Sequence, residues 1–239
     1  MSATLHRICA KVSSAGFALE SSPANLAWWR CAMPFWLICL VALSFPLSAS
    51  ANPPATSAPR TAPASVAVCT GCHGPQGAGS AAGMPRIAGM DPRYLAHALA
   101  MFKAGTRSSD IMQPIARTLS DADIDALSTY FSSQHPALAA SQQAPSPQLI
   151  TAGRTLAMHG DSNGVAACFA CHGPGGTGNG QRFPSIAGEP AAFVVNRLHE
   201  FQARARAGNV KPGSMTEVAS RLTDAEIREA SAYLSVTSP

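Results

Sequence analysis

The chain has 239 residues, enough for one large or two small domains. Apolar content is ordinary at 46%, but charged residues make up only 13% and aromatics 6%, a thin supply for a core built from side chains alone. Net charge is +4 overall and +2 beyond residue 51, where 14 Lys/Arg face 12 Asp/Glu; so weak and dispersed a balance excludes the basic footprint that nucleic-acid binding needs.

At the N-terminus, Arg7, Lys11 and Arg30 precede the apolar run "FWLICLVALSFPL" (35–47), and "SASAN" follows it. A positive region, an apolar region and a small-residue site in that order read as a secretory signal, residues 1–51, and place the mature chain in the periplasm. The 13-residue run is shorter than the roughly 20 residues of a membrane span, although an uncleaved anchor is the alternative. Residues 52–61 are a Pro/Ala-rich tether. Removing the signal takes Cys9, Cys31 and Cys39 with it and leaves Cys69, Cys72, Cys168 and Cys171.

The remainder repeats. Cys69 maps to Cys168, His73 to His172, "MPRIAG" at 84 to "FPSIAG" at 183, and Phe102 to Phe201, all at an offset of 99. The offset then becomes 103, pairing Met112 with Met215, "LSDADI" with "LTDAEI", and Tyr130 with Tyr233. Two tandem domains follow, at 62–136 and 148–239, joined by a linker at 137–147. Each reads as helical. Asp91-Pro92 is an N-cap with a first-turn proline, and Tyr94, Leu95, Ala98, Leu99 and Phe102 form one apolar face, matched by Phe193, Val194, Leu198 and Phe201. Ser120 with Asp123, and Thr223 with Glu226, form capping boxes that open the last helix of each repeat. No strand-like alternation appears, so the expected class is all-α.

Every remaining cysteine lies in "CTGCHGP", from Cys69, or "CFACHGP", from Cys168. A C-x-x-C-H run reads as attachment of a c-type haem. Two thiols about one helical turn apart each add to a vinyl group, and the next imidazole is aimed at the iron. The covalent haem also supplies the interior that the aromatic-poor chain lacks. An all-thiolate zinc site would leave both histidines unexplained. A thioredoxin-like dithiol expects a βαβ context, and a chance match is disfavoured by recurrence in register with the repeat.

Haems used for electron transfer are commonly closed by methionine. Met84, Met90 and Met101 align with Phe183, Glu189 and Glu200, whereas Met112 and Met215 align with each other, seven residues before the leucine of each capping sequence. The expected metal ligands are therefore His73 with Met112 and His172 with Met215; gap filling in a core is the ordinary role such methionines would otherwise have. His97 and His199 have no repeat partner, and His135 and His159 fall near connections. "GPGGTGNG" at 173 lacks the strand and Lys-Ser/Thr of a phosphate loop and reads as a flexible connection.

Through "VCTGCHG", "PRIAG…RYL", "MQPIARTLSDADI" and their second copies, residues 62 to 238 resemble the tandem diheme class I cytochromes c of the cytochrome c4 type. The resemblance implies two class I domains, each a small helical fold around one covalent haem c, and internal electron transfer between them. It also implies that the carbonyls of Pro85 and Pro184 orient His73 and His172. The chain departs from the pattern at Pro59 and Pro63, which shorten the helix before Cys69, and at Ala98 and Arg197, where a glutamine is often found. Four extra residues between Phe201 and Met215 read as a basic loop with Arg204, Arg206 and Lys211, facing haem propionates, an acidic partner or solvent.

The function this implies is an exported electron carrier without a catalytic residue, exchanging single electrons with a cytochrome bc complex, a terminal oxidase or a dehydrogenase, with peripheral membrane association compatible with that role. A second reading is the cytochrome subunit of a dehydrogenase, such as a flavocytochrome. A third is a diheme peroxidase-like enzyme, which needs an exchangeable iron site, and the two methionines argue against it.

Overall fold

Helix-forming stretches delimited by prolines, caps and glycines dictate a small-helix architecture. The computed structural model describes residue 63, residues 65–139 and residues 143–239. The expected signal and tether lie outside them. The first repeat folds as α1 (Val66–His73), α2 (Pro92–Lys103), α3 (Met112–Arg117) and α4 (Asp121–Ser132). The second folds as α5 (Pro147–His159), α6 (Cys168–His172), α7 (Ala191–Arg206), α8 (Met215–Arg221) and α9 (Asp224–Val236). Among the described residues the nearest approach to a sheet is one isolated bridge, Asn179 to Phe183, and no helix is long and apolar enough to cross a membrane. Both repeats belong to one compact unit.

The caps act as the sequence implies. Asp91 accepts the N–H of Arg93 at 2.8 Å, and Ser120/Asp123 and Thr223/Glu226 both form complete capping boxes. These fix the start of α4 and α9, whose buried stripes carry Ile124, Leu127 and Phe131 in one domain and Ile227, Ala230 and Leu234 in the other. Burying a side chain as completely as Leu127 or Ile227 contributes roughly 1.5–3 kcal/mol.

Two differences separate the repeats. Upstream prolines delay α1 to Val66, whose N–H donates to the Pro63 carbonyl at 3.0 Å, so one short helix carries the whole cysteine motif. The second domain instead has a full helix, α5, capped by Ser146, and a separate α6 for the motif. α5 crosses α9 at Gly153, where a Cβ would stand 1.9 Å from the carbonyl oxygen of Glu229. The second difference corrects an expectation. The four extra residues after Phe201 extend α7 to 16 residues against 12 in α2, about one more helical turn. Arg204 and Arg206 are therefore helical, and only Lys211 lies in the following loop.

The glycine-rich segment is a built turn rather than a flexible connection. Gly74 and Gly173 adopt φ of 74° and 78°, and a Cβ there would lie 2.5 and 2.6 Å from the carbonyls of Gly79 and Gly178. The N–H groups of Gly79 and Gly178 in turn donate to the carbonyls of His73 and His172, each at 2.7 Å. Glycine directly after each motif is thus required by the turn that sends the chain back under the histidine.

Candidate functional site

His73 ends α1 and His172 ends α6, and both side chains are buried. The Nδ1 of His73 lies 2.8 Å from the carbonyl oxygen of Pro85, and that of His172 lies 2.7 Å from the oxygen of Pro184. A carbonyl oxygen only accepts, so in each ring Nδ1 carries the proton and the Nε2 lone pair is left for a metal. Burial lowers the pKa of both imidazoles, with the proline bond opposing it. Neutral rings held in one tautomer are the form that ligates iron.

The four thiols are unpaired. Burial raises the Cys69 thiol and pushes Cys168 up to about 11, whereas a redox-active dithiol depends on a depressed pKa. Among the described residues no group of three or more His, Cys, Asp or Glu is placed to hold a metal by itself. The two cysteine pairs do not meet in one zinc site.

Met112 and Met215 are the first residues of α3 and α8. Each helix is pinned one turn later by a fully buried alanine, Ala116 or Ala219, both 0% exposed. The N–H of Met112 donates to Ser109 Oγ at 3.0 Å. Met215 packs on the second core, whose buried residues include Ala219 and Leu222.

One cavity of about 890 Å³ brings the two domains' residues together. Its walls include Cys69, Cys72, His73 and Met112 from the first domain, Cys168, Cys171, His172 and Met215 from the second, and both prolines. The rest is largely apolar, with Leu95, Phe102, Leu127, Val194, Leu198 and Leu234 among it. Met84, Met90 and Met101 also reach the wall, while His97, His135, His159 and His199 are exposed and do not line it. Paired thiols, an imidazole with a free Nε2 and an apolar chamber fit a covalently held haem in each domain.

Charged residues that sequence reasoning missed also line this cavity. Arg107 is half-buried with its guanidinium 4.5 Å from the Phe102 ring centroid. Burial, then the positive charge of Arg197, lowers its pKa, while Tyr94 and Glu200 act the other way. Arg86 and Glu189, both 2% exposed, meet across the domain boundary, where the Arg86 backbone N–H donates to the Glu189 carboxyl group. The only sequence signal for this pair is a mismatch: "PRIAGM" and "PSIAGE" differ at those two positions alone. Arg204, Arg206 and Lys211 do not line the cavity.

Two family models match the chain: cytochrome c over residues 63–135, and cytochrome c oxidase, cbb3-type, subunit III, over residues 155–234. A thiosulfate dehydrogenase electron acceptor of Thiomonas intermedia is 39% identical over 72% of this chain and 80% of its own length. Cytochrome c4 of Azotobacter vinelandii is 34% identical over 70% and 83%. The crystal structure of reduced recombinant cytochrome c4 from Pseudomonas stutzeri superposes with a TM-score of 0.64 at 32% identity, covering 72% of this chain and 94% of that one.

Proposed function

The chain belongs to the cytochrome c4 family of diheme electron-transfer proteins, and from that premise we propose that it carries single electrons through two sites of equal design. In the first domain Cys69 and Cys72 would hold the haem, with His73 and Met112 as ligands to its iron; in the second, Cys168, Cys171, His172 and Met215 would do the same. When bound, each haem supplies an iron that accepts and returns one electron. The observation that carries this reading is the convergence of both histidines and both repeat-paired methionines on one cavity.

The chain's own residues do the rest. Pro85 and Pro184 fix the imidazoles, which would hold the ligands in place as an electron arrives or leaves. The apolar walls would exclude water, and the half-buried Arg107 and Arg197, which line the same cavity, would offer positive charge to the haem carboxylates. With a sulfur ligand at each iron, no exchangeable position would be left for a substrate, which separates this reading from a peroxidase-like enzyme. Methionine ligation also raises the potential relative to bis-histidine sites.

We propose export to the periplasm, on the strength of the apolar run before "SASAN". The partners are redox proteins. A respiratory carrier between a cytochrome bc complex and a terminal oxidase is the first reading. A specific observation favours a second: the 39% identical relative is named an electron acceptor of thiosulfate dehydrogenase, so a dehydrogenase is a candidate donor. Stopped-flow mixing of the oxidised holoprotein with each donor separates them. Reduction of both haems within the donor's turnover time supports that donor, and no reduction by any of them overturns the carrier reading.

A further inference from the structure

The ligand loop of the first domain is wired to the second domain through a single peptide unit. The carbonyl of the Pro85–Arg86 peptide accepts the Nδ1–H of His73 at 2.8 Å. The N–H of the same peptide donates to Oε2 of Glu189 at 3.0 Å. Glu189 stands just ahead of α7, in the other domain, and is buried. The guanidinium of Arg86 is engaged elsewhere, donating to the carbonyls of Pro136 at 2.9 Å and Ala137 at 3.3 Å. What reaches the carboxyl is the backbone N–H.

The arrangement is one-sided. His172 and Pro184 repeat the first half of the chain of bonds, but the counterpart of Glu189 is Met90, which brings no carboxyl group. A repeat with identical ligands therefore has unequal surroundings.

We propose that Glu189 is a positioning residue for His73, acting across the domain boundary through the Pro85–Arg86 peptide to lower the potential of the first-domain haem relative to the second. Hydrogen bonds in series polarise one another. An anionic acceptor at the N–H end moves electron density onto the Pro85 oxygen, which strengthens its bond to Nδ1–H. The imidazole then donates more strongly from Nε2, as when a carboxylate backs a metal-bound histidine directly. A stronger donor favours ferric over ferrous iron. Burial pushes Glu189 up to about 8, against the Arg86 N–H bond and the charges of Arg86 and Arg107, so its ionisation falls within an accessible pH range. The inference rests on His73 binding the first iron.

Glu189→Gln in the full-length holoprotein keeps an acceptor oxygen for the N–H and removes the charge. Above pH 8 the first-domain haem should shift toward its reduced form three- to tenfold, up to about 59 mV for a one-electron couple, with the second haem unchanged. In ¹⁵N spectra of the reduced protein the His73 Nδ1 signal should move and that of His172 should not. If this variant does not accumulate, the wild-type holoprotein gives the same reading. Its first-domain potential should fall, and its His73 Nδ1 signal move, as pH rises through Glu189 ionisation. Equal movement at both sites, or movement at neither, overturns the proposal and leaves Glu189 a structural latch. Absence of covalent haem from the first motif, visible in the protein's mass before any potential is measured, overturns the underlying reading instead.

Discussion

Arg107 of the first domain and Arg197 of the second present two like charges to one cavity, stacked 4.5 and 4.4 Å over Phe102 and Phe201, the paired phenylalanines of the repeat. Arg197 has Glu200 as a partner on its own helix. Among the described residues Arg107 has no carboxylate within ion-pair distance, which leaves its charge for the haem carboxylates. Arg107→Gln should lower a haem potential by on the order of 1 kcal/mol, a fraction of the about 4 kcal/mol that unit charges 4 Å apart exchange at an effective dielectric of about 20. The triple change of Arg204, Arg206 and Lys211 to Ala should leave both potentials in place, since none of the three lines the cavity. Spectroelectrochemical titration of both variants checks this.

The buried Glu189 makes stability depend on pH. Its folded pKa is raised by burial to about 8 from an ordinary 4.5. A carboxyl raised in this way stabilises the fold fully below its unfolded value and loses that contribution as pH rises toward the folded one. Denaturant midpoints of the holoprotein should therefore fall between about pH 4.5 and 8. The Glu189→Gln variant should show a flatter profile over that window.

The crossing of α5 and α9 leaves no room for a methyl group at Gly153, where the first atom met is the backbone oxygen of Glu229 at 1.9 Å. Gly153→Ala should destabilise the second domain by about 1–3 kcal/mol, the usual cost of overpacking. Helix propensity, which favours alanine, offsets that by no more than about 1 kcal/mol. Two-domain unfolding followed at each haem should show the loss in the second domain, with the first little affected.

What the sequence revealed was local and periodic. Asp91, Ser120 with Asp123, and Thr223 with Glu226 each carry their capping geometry within four residues, so the helix starts were legible. The repeat offset disclosed the cysteine, histidine and methionine pairs because each has a counterpart in the other half. The change of offset was visible, but not that it would be absorbed as one more turn of α7, since an insertion has no partner to compare with. Arg86, Arg107 and Glu189 were illegible for a related reason. Glu189 and the Arg86 backbone meet only across the domain boundary, where the repeat records the two residues as mismatches, and Arg107 stands in the stretch where the repeat offset changes.

In the proposed function each haem iron is closed by the methionine its repeat supplies, which makes the protein a carrier. The most direct test is the sulfur-to-iron charge-transfer band of the oxidised holoprotein, compared with Met112→Ala and Met215→Ala. The native protein should show the band, with about half of it lost in each variant and the affected potential lowered. A native protein that lacks the band, or keeps all of it in both variants, would rule out ligation by Met112 and Met215.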